Sequence, residues 1–138
     1  MTINIGGIDA AIARLKDPAT RARILSEVTF RNGPDSILLV GFRNPELRKY
    51  IGRRLDELAA ELGKSPAETM ADLIVEDNSR VGTVYFSQSE DIVRRAIALP
   101  WVSFNSDEAS LAPEGVFLKS NPHPRAYGSF ARLLGRYV

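Results

Sequence analysis

The stretch VGTVYFSQSEDIVRRAIALPWVSFNSDEAS, residues 81–110, decides the fold class. Val81 to Phe86 is rich in β-branched and aromatic residues, which is typical of a strand. Ser87-Gln-Ser-Glu90 then opens a helix that Pro100 ends, and Trp101 to Phe104 is a second apolar run. A strand, a helix and a strand at this length predict a βαβ unit, with two parallel, buried strands. We therefore predict an α/β fold.

A carboxylate follows the second predicted strand. Ligands of parallel sheets bind beyond the carboxyl ends of the strands, and Asp107 lies at that end. The residues alone leave two interpretations open. Asp107 is either a turn carboxylate or a catalytic carboxylate that ligates a metal and takes a proton from metal-bound water.

Two further candidate site residues lie in the proline-stiffened segment Asn121-Pro122-His123-Pro124-Arg125. His123 is the only histidine, and one histidine cannot build a zinc site, so a hydrogen bond within the loop is the favoured interpretation. Arg125 is either a surface or helix-capping arginine or a guanidinium that grips a substrate carboxylate.

The remaining elements follow from helical spacing, capping residues and turn signals. Before the quoted stretch we predict a helix with Ile8, Ala11, Ile12 and Leu15 on one face, a helix capped by Asp17-Pro18, and a strand at Ile37 to Val40. Two further helices follow, one from Arg53 to Leu62 and one opened by Ser65-Pro-Ala-Glu68, with Ala67, Met70, Ala71 and Ile74 as its apolar stripe. At the end of the chain we predict a loop over 109–128, briefly extended at Val116 to Leu118, and a last helix capped by Ser129.

The composition excludes several classes of function. Among 138 residues there is no cysteine, so disulfides and thiolate metal sites are impossible. The net charge of +1 gives no reason to expect nucleic acid as a partner, and no apolar run is long enough to span a membrane. The basic residues of 43–54 are interleaved with acidic ones, as on a solvated helix face. No signal peptide is visible, so the chain as it stands is expected in the cytoplasm, although an export signal could lie upstream of Met1.

Four stretches resemble the C-terminal part of the N-acyl-D-amino-acid deacylases (D-aminoacylases), a branch of the amidohydrolase superfamily. They are RLKDPATRARI at 14–24, IGRRLDELAAELGKSPAETMADLI at 51–74, YFSQSEDIVRRAIALPWVSFNSDEAS at 85–110 and HPRAYGSFARLLGRYV at 123–138.

The resemblance implies a chemistry and roles for the candidate residues. These enzymes are zinc-dependent (β/α)8 barrels that hydrolyse N-acyl-D-amino acids to a carboxylate and a D-amino acid. By this match Asp107 is the general acid/base and a metal ligand. Arg125 and His123, which share one motif, are substrate-binding residues, and Arg125 binds the substrate carboxylate. Better-known members have glycine where this chain has Glu108, which puts substrate preference in doubt.

The resemblance also implies an incomplete fold. A complete barrel needs about 250 residues. We therefore expect an incomplete C-terminal portion of a (β/α)8 amidohydrolase barrel with a helical insertion. Residues 1–80 would be the helical insertion or connecting region with one short strand. Residues 81–138 would be the last βαβ unit, the active-site loop and the start of the final helix.

The family's other metal-binding histidines are absent, so zinc is expected in the full-length enzyme and not in this chain. We expect the chain alone to be inactive. The expected partners are an N-acyl-D-amino acid in the full-length enzyme and further copies of the chain, which would self-associate through exposed barrel edges. Two alternatives stay open, a stand-alone, non-catalytic binding or assembly module and a hydantoinase-like cyclic-amide hydrolase.

Overall fold

The computed structural model describes residues 6–109, 111–119 and 123–138. The α-helices are α1 (Gly7–Lys16), α2 (Pro18–Glu27), α3 (Leu55–Glu61), α4 (Pro66–Asp77), α5 (Glu90–Ile97) and α6 (Arg125–Arg132). The strands are β1 (Ile37–Gly41) and β2 (Gly82–Tyr85), and short 3-10 helices cover Pro34–Ser36, Pro45–Tyr50 and Gly115–Lys119. Within the described ranges, every helix is too short or too polar to cross a membrane.

The chain divides into two compact units, unit 1 (Met1–Phe86) and unit 2 (Ser87–Val138). This boundary lies close to the predicted one, which separated residues 1–80 from residues 81–138. The assignment of those two ranges to parts of a barrel stays a prediction.

Helices α2 and α4 of unit 1 begin where their capping residues predict, whereas α3 begins at Leu55 and not at Arg53. The Asp17 carboxylate accepts a hydrogen bond of 2.8 Å from the Thr20 N–H at the start of α2. At the start of α4 the Glu68 N–H donates to the Ser65 hydroxyl at 3.2 Å, and the Ser65 N–H donates to the Glu68 carboxylate at 2.9 Å. These contacts satisfy N–H groups that have no partner within the helix. The predicted capping box is therefore confirmed.

Two clusters of buried apolar residues lie in unit 1. The first contains Leu39, Phe42, Leu47, Leu58 and Leu73, and the second contains Leu15, Ile24 and Ala71. Helix α4 contributes to both clusters, so it joins the helices at the start of the chain to the small sheet.

The predicted parallel βαβ unit is wrong. Strand β2 pairs antiparallel with β1, with Leu38 opposite Val84. The predicted second strand, Trp101 to Phe104, is not a strand, and Trp101 is 77% exposed. A strand needs a neighbouring strand to satisfy its backbone groups, whereas this segment makes a local bond from the Val102 N–H to the Leu99 carbonyl at 3.1 Å. The mixed helices and strands remain compatible with the α/β class, but a two-stranded sheet does not establish a barrel.

The last helix begins earlier than predicted. Helix α6 starts at Arg125, and Ser129 lies inside it, where its hydroxyl donates to the Arg125 carbonyl at 3.0 Å. Pro124 precedes the helix with a φ of −52°, which already suits a helical backbone. A π-helical turn, Leu133–Tyr137, follows. Val116 and Phe117 lie in a 3-10 helix, so the predicted extended segment there is also wrong.

An ion-pair network ties α2 to α4. The Arg21 guanidinium lies 2.5 Å from one oxygen of Asp72, and the Lys64 ammonium lies 2.7 Å from the other. Partial burial opposes ionisation of Asp72, but the hydrogen bonds from Lys64 and Arg21 outweigh it and hold the pKa of this carboxyl below its ordinary value of 3.8. Stability from this group is therefore present above pH 3.8 and is lost as the pH falls through the lower folded pKa.

Replacing Asp72 with Asn is therefore expected to destabilise the chain in a pH-dependent way. At pH 7 the loss in unfolding free energy should be about 1 kcal/mol, because two partly exposed ion pairs disappear. At a pH well below the folded pKa the variant and the parent chain should converge. Urea unfolding at both pH values measures this, with the exposed Glu46→Gln as a control. Equal losses at both pH values would contradict the assignment.

Candidate active site

Two carboxylates in unit 2 converge on one guanidinium, that of Arg125. Arg125 Nη1 lies 3.3 Å from Asp107 Oδ2, and Arg125 Nε lies 3.4 Å from Glu108 Oε2. The structure thus brings together two predicted site residues, Asp107 and Arg125. It adds Glu108 as a direct partner of the arginine.

A left-handed turn makes this convergence possible. Asp107 has a φ of 50°, and its N–H donates a 2.7 Å hydrogen bond to the Asn105 side-chain oxygen. Aspartate tolerates this backbone region better than most residues, and an asparagine two positions earlier stabilises such a turn. In an extended strand, Asp107 and Glu108 would point to opposite faces. The turn instead allows both carboxylates to contact Arg125.

His123 fixes the start of the helix that carries Arg125. Its Nδ1 atom accepts a 3.1 Å hydrogen bond from the Arg125 N–H. A ring nitrogen that accepts a hydrogen bond carries no proton, so in this contact Nδ1 is the unprotonated ring nitrogen. The predicted hydrogen bond within the loop is confirmed. A role for His123 in substrate binding stays a prediction.

The three charged groups differ in their access to solvent. The Asp107 side chain is 84% exposed, Arg125 is 41% exposed and Glu108 is 22% exposed. Asp107 is therefore open to a ligand, whereas Glu108 is largely covered. Two carboxylates and one guanidinium give the group a formal charge of −1.

An apolar cavity of about 320 Å³ begins beside this group. Asn105 and Ser129 contribute to its lining, together with apolar side chains that include Val102, Phe104 and Phe130. Its volume lies at the lower end of the range found for small-molecule sites. A polar group next to an apolar cavity is an arrangement that can hold a ligand with one charged and one apolar end.

The residues present do not complete a metal site. Across 6–109, 111–119 and 123–138, no three or more His, Cys, Asp or Glu side chains are grouped to hold a metal ion. Zinc sites need three or four protein ligands, so Asp107 could supply at most one of them. The metal-ligating side chains of the described residues therefore do not establish the predicted zinc dependence.

The sequence interpretation missed two features of this group. Asn105 holds the backbone of Asp107, and its position two residues before an aspartate was a usable signal for the turn. In the sequence, Glu108 is visible only as a departure from the family pattern. Its contact with Arg125 is long-range, and no local spacing could have shown it.

The comparisons with known proteins agree with the resemblance. The chain is 38% identical over 94 residues to D-aminoacylase from Alcaligenes xylosoxydans xylosoxydans. It is 36% identical over 87 residues to N-acyl-D-glutamate deacylase from the same organism. The predicted resemblance to the N-acyl-D-amino-acid deacylases is confirmed. No protein-family model and no solved structure matches the chain.

The matched segments cover most of this chain but little of the deacylases. They span 68% and 63% of the chain, and 16% and 15% of the two relatives. The chain thus spans about one sixth of the length of each of these two relatives.

Proposed function

We propose that this chain is one segment of a longer zinc-dependent amidohydrolase, the C-terminal portion of its barrel. That enzyme hydrolyses N-acyl-D-amino acids to a carboxylate and a D-amino acid. The observation that carries the proposal is the 3.3 Å approach of Asp107 to Arg125, in a chain similar in sequence to two such deacylases. The zinc ligands other than Asp107 would come from outside the described residues, and the chain alone would be inactive.

Arg125 binds the α-carboxylate of the substrate. A guanidinium has five N–H donors in a planar fork, so it can bind a further carboxylate beside the two it already contacts. The hydrogen bond from the Arg125 N–H to His123 holds the backbone that carries it. A fixed anchor orients the substrate and helps the enzyme to discriminate between its enantiomers.

Asp107 transfers the proton. Its carboxylate accepts a proton from the water that attacks the amide carbonyl, and returns that proton to the leaving nitrogen as the C–N bond breaks. In an N-acyl amino acid, one carbon atom separates that nitrogen from the carboxylate carbon. The group that protonates the nitrogen must therefore lie next to the group that binds the carboxylate, and Asp107 and Arg125 meet this requirement.

The apolar cavity lined by Val102, Phe104 and Phe130 would take the uncharged part of the substrate. Burial of an acyl chain or an apolar side chain there contributes about 25 cal/mol for each Å² removed from water. The cavity and the Arg125 guanidinium together suit a ligand that is anionic at one end and apolar at the other.

The test is Arg125→Ala in that longer enzyme. We expect KM for N-acetyl-D-amino acids to rise about tenfold or more, because a hydrogen-bonded charge contact to the carboxylate is lost. The turnover number should change much less. Steady-state release of D-amino acid measures both constants, and the exposed Arg95→Ala on α5 is the matched control.

Two results would contradict the proposal. A fall in kcat with unchanged KM would show that Arg125 does not anchor the carboxylate. No release of D-amino acid by the unsubstituted longer enzyme would remove the deacylase assignment altogether.

A binding or assembly module is the second candidate, and one observation favours it. Among the described residues of unit 2 no side chain is buried, and large apolar side chains such as Ile92, Trp101 and Leu134 are exposed. Exposed apolar surface of this kind marks interaction sites. The names of the two relatives favour a deacylase over the hydantoinase-like alternative.

A further inference from the structure

Glu108 is the least exposed member of the charged group in unit 2. Its side chain is 22% exposed, whereas the side chain of Asp107 is 84% exposed. Charges that are partly shielded from water are screened less by salt and solvent. The negative charge of Glu108 therefore acts on Arg125 more strongly than a freely solvated carboxylate would.

The position of Glu108 defines which part of the guanidinium it affects. Its Oε2 atom lies 3.4 Å from Arg125 Nε, whereas Asp107 Oδ2 lies 3.3 Å from Nη1, another nitrogen of the same guanidinium. The one positive charge of Arg125 is thus shared between two fixed carboxylates before any ligand arrives. One substrate carboxylate can still bind, but a second one would meet an excess of negative charge.

We infer that Glu108 sets the charge preference of this site. It disfavours N-acyl-D-amino acids with an acidic side chain and favours those with a neutral or cationic one. The inference rests on the proposed function, because it assumes that Arg125 binds the substrate α-carboxylate.

Sequence identity to known deacylases does not distinguish between acidic and neutral substrate side chains. The chain is 38% identical to a D-aminoacylase and 36% identical to an N-acyl-D-glutamate deacylase, which are nearly equal values. The ion pair between Glu108 and Arg125 is the feature that separates the two substrate classes.

The test uses the 138-residue chain itself and needs no catalysis. The Nε–H resonance of Arg125 is assigned in a ¹⁵N-labelled sample by its loss in Arg125→Lys. N-acetyl-D-alanine, a monoanion, and N-acetyl-D-glutamate, a dianion, are then titrated at constant ionic strength. We expect the unsubstituted chain to bind the monoanion more tightly.

Glu108→Gln should reduce the ratio of the Kd for N-acetyl-D-glutamate to the Kd for N-acetyl-D-alanine about threefold to fivefold. This is the size of change that partly exposed charge pairs produce. Glu114→Gln removes the same charge from an exposed position in the same unit and should leave the ratio unchanged.

The outcomes separate the inference from the proposed function. A ratio unaffected by Glu108→Gln, with both ligands still shifting the Arg125 resonance, would overturn the inference and leave the carboxylate anchor standing. If neither ligand shifts that resonance in any variant, Arg125 does not bind these carboxylates in this chain and the inference fails, whereas the proposed function is decided by the KM of Arg125→Ala in the longer enzyme.

Discussion

Changing Asp107 to Asn is expected to lower kcat of the longer enzyme by about 10²- to 10⁴-fold, the usual contribution of a general acid/base. The amide has nearly the same shape as the carboxylate, so it can keep the turn that the Asn105 side chain stabilises. It cannot accept the proton of the attacking water or return one to the leaving nitrogen. The loss should therefore appear in kcat, with KM little changed.

Asp91→Asn is the matched control for this experiment. It makes the same chemical change at an exposed position in the first turn of α5, in the same unit. Circular dichroism of both variants should match the parent protein, which excludes unfolding as the cause of the lost turnover. Activity of Asp107→Asn within tenfold of the parent would remove Asp107 from the proton-transfer role.

The parts of the structure that the sequence predicted correctly depend on local chemistry. The cap at Asp17 and the capping box at Ser65 each involve residues three positions apart, so their pairing is visible in the sequence. The face of α4 was predicted less well. Ala71 is buried as expected, but the other fully buried positions include Leu73 and Asp77, because α4 packs on two clusters at once.

The incorrect predictions depend on long-range pairing. An apolar run such as Trp101 to Phe104 is compatible with a buried strand and with an irregular segment. It forms a strand only where a partner strand is available to pair with it. The antiparallel partner of β2 is β1, which lies far upstream in the chain. The approach of Asp107 to Arg125 is also long-range. The resemblance implies a role at the substrate for each of the two residues, but neither it nor the spacing of the residues predicts their direct contact.

Replacing Asp77 with Ala is expected to cost about 3 kcal/mol in unfolding free energy, because it removes the acceptor of two hydrogen bonds at a buried position. Asp77 is 2% exposed at the end of α4. Its Oδ1 accepts a 2.8 Å hydrogen bond from the Asn44 N–H, and its Oδ2 accepts one from the Ser79 hydroxyl. Truncation to alanine leaves both donors without this partner, and a buried polar group with no hydrogen bond is costly.

Asp77→Asn separates the hydrogen bond from the charge. The asparagine oxygen can still accept from the Asn44 N–H, and the Ser79 hydroxyl can rotate to accept from the new amide. We therefore expect this variant to lose about 1 kcal/mol, well below the loss for alanine. Urea unfolding at pH 7 compares the two. Similar losses for both variants would show that the negative charge of Asp77, and not its hydrogen bond to the Asn44 backbone, stabilises the junction between α4 and the segment after β1.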